Sequence, residues 1–395
     1  MELINFIRNN NIINYETLKT ILESETYNLK IKEDIDYPEL FLIHTQHNSV
    51  YDIPFVNECN GIILEKNTFK IVCYTFNKCF DIIDNQIVGQ NIDINNLYIE
   101  QAIEGTLVRL FYYNNKWNVS TKKCIDAAKS KWISEKNFLQ LFEECIQDWS
   151  FMENLNISYC YSLIITHPEN KIVVDYITPI AYHISTRDLT TLNEVDTYIG
   201  ISKNIRTYLK YSDFNNILNN IYADTSLLYE GHIFIDDYYN RWKIKTPYYN
   251  RVRNLWGNTN NRFYRYLELR KDYNLLNEYL LYYAYDRNKF IEYENKIQFL
   301  AKSILNLYLS KHVKKIDVKI PFFFSKIIYK LHGDFYKDKI KTDYNKIMLE
   351  LLVLDPKKIC FIMNNHEKYI VAQHKIEQEK NNTEQLDIME IDYAN

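Results

Sequence analysis

Long apolar runs are missing from this sequence. No stretch approaches the ~18 residues that a membrane-spanning helix needs, and the opening MELINFIRNNN carries charge inside its only apolar stretch. Neither an anchor nor a leader is therefore expected. Paired cysteines are missing too. Cys59, Cys73, Cys79, Cys124, Cys145, Cys160 and Cys360 are odd in number and lack the short spacings of a zinc site, which reads as reduced thiols in a soluble, intracellular (cytoplasmic) protein. Glycine and proline are scarce, 7 of each against 35 tyrosines, a bias that fits AT-rich coding and says little about mechanism. A strong charge of either sign is also absent. The formal net charge of −4 gives no global attraction for phosphate, so any nucleic-acid surface has to be a local basic groove.

What is present is the composition of a folded protein: 47% hydrophobic and 25% charged residues exclude disorder and a disulfide framework. The length suits one large domain and a smaller one. Residues 61–175 read mainly as strands: GIILE, FKIVCYTF, CFDII, TLVRLFYY, KWNVST, YCYSLIIT and KIVVDY, with short turns that suggest antiparallel pairing. A helix is expected within Ile125 to Asp148. YEGHIFID and NRWKIK, on either side of the turn at 237–239, predict a hairpin. From about Asn260 the periodicity becomes helical, in YRYLELRKDYNLLNEYLLYYAY, KFIEYENKIQFLAKSILNLYLSK, FFFSKIIYKLHGDFY and DYNKIMLELLVL. The expected division is 1–255, 256–372 as an all-helical C-terminal domain, and 373–395 as a flexible acidic tail. The fold class is α+β.

Ala102-Ile103-Glu104-Gly105-Thr106-Leu107 alone is a strand entered through a glycine, and its alanine offers no functional group. It belongs, however, to an ordered set. Thr121-Lys122-Lys123 ends the next strand pair, and Tyr229-Glu230-Gly231 and Trp242-Lys243-Ile244-Lys245 follow far downstream. This set resembles the covalent nucleotidyltransferases, most closely the RNA ligase 1 family of phages, giant viruses and fungi. The family's nucleophile motif, Lys-x-Asp/Glu-Gly-Ser/Thr-Leu, places Ala102 at the lysine position, Glu104 at the acidic position and Gly105 at the glycine. Glu58-Cys59-Asn60-Gly61-Ile62 is similar to Glu-Cys-Arg-Gly-Ile, with Asn60 for the arginine, and Phe76-Asn77-Lys78-Cys79-Phe80 puts a phosphate-facing cation on Lys78. The Ser-Lys-Gly element falls on Lys122, the Glu-Gly motif on Glu230 and Gly231, and the Lys-x-Lys motif on Lys243 and Lys245. The likeness covers roughly residues 55–250.

Two positions depart from the pattern. The glutamate expected four residues before Pro168 is Ile164, with His167 as a candidate substitute, though a histidine before proline at a strand end is more often structural. Ala102 is the other, and it removes the nucleophile. It reads as an engineered Lys→Ala change or as a natural loss, with the first preferred.

The resemblance implies an antiparallel-sheet adenylation domain, ATP and Mg2+ as cofactors, and RNA as partner. It implies an RNA ligase that seals 5′-phosphate and 3′-hydroxyl ends, tRNA among the candidates, through enzyme–AMP and RNA–adenylate intermediates, in RNA repair in a viral host's cytoplasm. Ala102, Glu104, Lys243 and Lys245 would form the catalytic set. Gly105, Asn60, Lys78, Lys122 and Glu230 would hold the nucleotide, and Glu230 the metal. Chemistry supports that division, because adenylation needs an unprotonated amine, and a lysine of pKa ~10.4 loses its proton more readily beside other cations. Lys243 and Lys245 share one face of a strand. The alternatives are a catalytically dead ligase-like protein that binds nucleotide or RNA, and a capping-type guanylyltransferase, against which the helical C-terminal region argues.

Two basic stretches stand out beyond that set. One runs from Lys311, Lys314, Lys315 and Lys319 to Lys326, Lys330, Lys337, Lys339 and Lys341, and reads as phosphate contact or as a solvated surface. The other, Tyr248-Tyr249-Asn250-Arg251-Val252-Arg253, reads equally as a strand guide or as core packing.

Overall fold

The computed structural model describes residues 1–82, 96–146 and 148–392. The chain divides into two compact units, Met1–Arg253 and Asn254–Asn395. The first opens with α1 (Glu2–Asn9) and α2 (Tyr15–Leu22), then β1 (Leu29–Glu33), β2 (Leu40–Thr45), α3 (Pro54–Glu58), β3 (Asn60–Glu65) and β4 (Ile71–Cys73). These strands pair in the order β1-β2-β3-β4. The helices bury Leu3, Leu18 and Leu22 against Phe41 and Phe55. Glu58 ties the layer together, since its carboxylate accepts the first amides of α1, from Glu2 at 2.9 Å and Leu3 at 2.8 Å. A carboxylate at a helix N-terminus meets both unpaired N–H groups and the positive end of the dipole.

The unit continues through β5 (Phe80–Asp81), β6 (Leu97–Ala102), β7 (Thr106–Tyr113), β8 (Lys116–Thr121), α4 (Phe138–Ile146), β9 (Tyr159–Thr166), β10 (Ile180–Asp188), β11 (Glu194–Val195), β12 (Arg206–Leu209), α5 (Phe214–Ala223), β13 (Gly231–Asp236) and β14 (Arg241–Lys245). They build two five-stranded sheets, β11-β10-β9-β7-β8 and β12-β6-β13-β14-β5. Pairing is antiparallel except between β14 and β5. Alternation along the strands separates apolar from polar faces. In the second of these sheets Leu97, Phe234, Trp242 and Ile244 cluster with Phe214 and Ile221 of α5. Glu100, Ala102, Lys243 and Lys245 lie at the alternate positions, on the other face.

The second unit is helical: α6 (Pro247–Trp256) crosses the division, and α7 (Arg262–Leu269), α8 (Tyr273–Tyr282), α9 (Arg287–Tyr308), α10 (Phe322–Asp338), α11 (Tyr344–Val353) and α12 (Pro356–Asp392) follow. No helix among the described residues is long and apolar enough to cross a membrane.

The α+β class, the 231–245 hairpin and the α4 region agree with the sequence reading. Three features differ from it. KIVVDY is not a strand; Val173 and Val174 give their amides to a side chain instead of a neighbouring strand. The 373–395 segment, read as a flexible acidic tail, continues α12 as far as Asp392. Nothing in it breaks a helix, for no glycine or proline follows Pro356, and Glu, Gln, Lys and Met all favour the helical state. Strands β1, β2, β10 and β12 were not expected. Ile83 of CFDII lies outside the described residues.

Candidate active site

Ala102 ends β6, fully buried beside Ile233 and Ile235. Its carbonyl accepts the Glu230 amide at 3.1 Å, and the Thr246 amide donates to the Glu230 carbonyl at 3.1 Å. Gly231 lies in register between Ala102 and Lys245. It has to be glycine: its φ is +154°, and a Cβ there would lie 2.0 Å from the Ile244 carbonyl oxygen. This close approach delivers Glu230 to the two lysines of β14. Lys243 Nζ donates to the Glu230 carboxylate at 2.9 Å, and Lys245 Nζ stands 3.5 Å from its other oxygen and 2.9 Å from Asp81. Burial pulls the Lys243 pKa down, but Glu230, Cys79 and Asp81 outweigh it and leave it at about 12. The clasp is charged and internally balanced.

The other side of the site is not balanced. Lys122, just past β8, has its pKa pulled down to about 8, first by burial and then by Lys78, Lys123 and Arg109. Lys78 rests its ammonium 3.5 Å from the Tyr51 ring centre. Neither Lys78 nor Lys122 forms an ion pair among the described residues. Arg109, 1% exposed, donates to the carbonyls of Gly61 and Thr121. Gly61 has φ +93°, and a Cβ there would meet the Lys122 carbonyl at 2.6 Å. Asn60 beside it has a buried Oδ1 without a hydrogen-bond partner among the described residues.

Glu104 does not join the others as a ligand-binding acid. Its oxygens accept the Val173 amide at 3.0 Å and the Val174 amide at 2.5 Å, and the Tyr176 hydroxyl donates to its carbonyl at 2.7 Å. Burial raises its pKa against these amides. Glu104 is a fastener for residues 173–176. Gly105 serves packing, because a Cβ there would lie 2.5 Å from Ile164 Cγ2; Ile164 occupies that space with methyl groups. His167 is structural. Its Nδ1 accepts the Glu169 amide at 3.1 Å and its Nε2 lies 2.9 Å from Glu144. Glu144, His167 and Glu169 could together ligate a metal ion, but Lys136 already pairs with Glu144 at 2.9 Å and with Glu169 at 2.7 Å.

Sequence reasoning missed Arg109 and a buried charge group formed by Glu100, Glu194, Arg206 and Arg241. Period-two alternation could have found part of it, since Glu100 shares a face with Ala102, and Arg241 with Lys243. A cavity of about 470 Å3 adjoins this group, lined by Tyr98, His183, Ser185, Glu194 and Arg206. None of the residues mapped from the motifs lines it.

No family profile matches the chain. It is 25% identical over 342 residues to the immediate-early protein ICP-46 homolog of Invertebrate iridescent virus 6, covering 77% of this chain and 71% of that protein. A "Putative RNA-ligase" of African swine fever virus (isolate Tick/Malawi/Lil 20-1/1983) is 28% identical over 156 residues, covering 34% of each. A "Putative bifunctional polynucleotide kinase/RNA ligase" of Autographa californica nuclear polyhedrosis virus is 24% identical over 198 residues, 45% of this chain and 27% of that one. The chain is thus similar to viral proteins described as putative RNA ligases. It spans about a third or less of the two ligase relatives' own lengths. Among solved structures, an archaeal ATP-dependent RNA ligase is 11% identical over 91% of this chain and 79% of its own, at a TM-score of 0.41. An Aquifex aeolicus protein described as a putative ATP-dependent DNA ligase is 14% identical over 85% and 87%, at 0.42.

Proposed function

We propose that this chain is an ATP-dependent RNA ligase in its architecture, with the adenylate-accepting amine absent at Ala102. One observation supports this most: Ala102, Lys243 and Lys245 share a sheet face, and the Ala102 carbonyl is bonded to the backbone of the glutamate that both lysines hold. A lysine at 102 would join Lys243 and Lys245 on that face, where each added ammonium group favours the neutral amine that attacks phosphorus, against the pull of Glu230 and Asp81. ATP fits the opposite side, where Lys78 and Lys122 are positive charges lacking carboxylate partners. A divalent cation fits less simply. It would reach Glu230 by releasing Lys245, whose 3.5 Å contact is the longer of the two and which keeps Asp81. Bound there, magnesium would supply charge neutralisation for in-line transfer at phosphorus.

Without the amine the chain cannot carry AMP itself, but joining needs only the pocket once a strand already bears AMP. The expected result is that the chain, with magnesium and no ATP, joins a 5′-adenylylated RNA to a 3′-hydroxyl RNA, and that Lys243→Ala slows this at least tenfold. A second reading, a nucleotide-binding protein without catalysis, has its own support, because Glu104 and Glu230 are both engaged within the protein. Retained ATP binding with no joined product would establish that reading. Covalent labelling of the Ala102→Lys protein by GTP in place of ATP would indicate a capping-type enzyme.

A further inference from the structure

α10 buries one side and exposes the other. Phe323, Phe324, Ile327, Ile328 and Leu331 form its buried side. Opposite them Phe322, Tyr329 and Tyr336 are 69%, 59% and 65% exposed. They stand seven residues apart, two helical turns or roughly 10 Å, and so project along a single line. Lys326 and Lys337 lie in the same arc, and Gly333 falls between the second and third rings, where an added Cβ would meet nothing within 4 Å. Phe361 of α12, 51% exposed, extends the row with a ring 6.1 Å from Phe322. The turn after α9 adds His312, stacked on His332 at 3.7 Å, with Tyr336 edge-on to His332 at 4.7 Å.

A purely apolar stripe would invite a protein partner. The charge here argues for a polyanion. Residues 311–341 hold nine lysines (311, 314, 315, 319, 326, 330, 337, 339 and 341) against three aspartates (317, 334 and 338), a balance of +6 in a chain whose formal total is −4. Lys311 pairs with Asp317 and Lys330 with Glu350. The other seven form no ion pair among the described residues. Exposed rings at regular spacing, interleaved with unneutralised ammonium groups, match the two interactions by which single strands are held: base stacking, and phosphate neutralisation.

We infer that the exposed face of α10 is a binding track for single-stranded nucleic acid, with Phe322, Tyr329 and Tyr336 stacking on bases and Lys326 and Lys337 holding phosphates. This rests on the helix alone and not on the adenylation site, so it stands or falls apart from the ligase proposal. Stacking and phosphate contact are shared by RNA and DNA strands, and the assay separates them.

The test is fluorescence anisotropy of the full chain with labelled oligo(U), oligo(dT) and a blunt RNA duplex. Single strands should bind more tightly than the duplex. Tyr329→Ala should weaken oligo(U) binding about tenfold, the effect of losing one stacked base, and Tyr329→Trp should restore it. Lys326→Ala should flatten the salt dependence by about 0.7 in the log–log slope, the loss of one phosphate contact. Ile291→Ala, which removes an apolar side chain 56% exposed on α9, should change nothing. RNA and DNA strands binding alike would assign the track to backbone and base chemistry alone, and a preference for oligo(U) would add the 2′-hydroxyl. Three results would overturn the inference: equal binding of duplex and single strand, an unchanged affinity in Tyr329→Ala, or self-association of the chain that Tyr329→Ala abolishes.

Discussion

The two sides of the candidate site carry the same kind of residue in opposite electrostatic states. On β14 two lysines close on Glu230 and Asp81, and the charges cancel within the protein. Beside β8, Lys122 and Lys78 form no ion pair among the described residues, and burial together with neighbouring cations drags Lys122 down to about 8. A lysine that is paired is part of the structure before anything binds. One that is held at a depressed pKa destabilises the folded chain until an anion arrives. Under the proposed function, that difference would put a phosphate on the side of β8, with the β14 clasp as a wall.

The largest effect should come from the wall. Gly231→Ala forces a Cβ to within 2.0 Å of the Ile244 carbonyl oxygen, and backbone cannot yield there without parting β13 from β14. A loss of roughly 4 kcal/mol or more is expected in urea unfolding, a size reserved for such clashes. A loss under about 1 kcal/mol would show that the strands are not so tightly joined.

Next comes Glu230→Ala, which leaves Lys243 and Lys245 repelling each other in a partly buried place. The expected cost is about 2 kcal/mol, below the value for a fully buried pair because both lysines keep some contact with solvent. Lys122→Met should do the opposite at neutral pH and leave stability equal or raised. If both substitutions destabilise alike, the two sides are not electrostatically different.

The pH dependence of Lys122 gives a finer comparison. Its folded pKa of about 8 lies below the ~10.4 of an unfolded chain. Between those values the unfolded state holds a proton that the folded state has lost, so the contribution of this group to stability rises with pH. Below about 8 both states are protonated and the destabilisation is full. The stability gap between the chain and Lys122→Met should therefore shrink as pH climbs from about 8 towards 10.4, and ATP affinity should fall over the lower part of the same range. A gap that does not change with pH would remove Lys122 from the account. Smallest of all, Lys123→Ala should stay within ~0.5 kcal/mol, because Lys123 is exposed.

Much of this was legible in the sequence. Alternation placed Lys243 and Lys245 on one face, and the order of the motifs brought Ala102, Glu230 and the β14 lysines together. The hold of Glu104 on the amides of Val173 and Val174 was not legible, because those partners lie about seventy residues away and leave no mark on composition or period. For the same reason KIVVDY read as a strand: its β-branched residues are genuine, but a carboxylate has replaced the ladder. Glu58 likewise looked like part of a motif and serves as the cap of α1. Long-range contacts between a side chain and backbone are set by tertiary packing, which a single sequence does not display.

The central claim is that a working adenylation pocket surrounds an absent amine. Incubating the Ala102→Lys protein with ATP labelled at the α-phosphate, and resolving it under denaturing conditions, tests this directly. The account predicts an acid-stable labelled protein for Ala102→Lys, no label on the chain as it stands, and loss of the label when Lys243→Ala is added. A folded Ala102→Lys protein that binds ATP and acquires no label would contradict it.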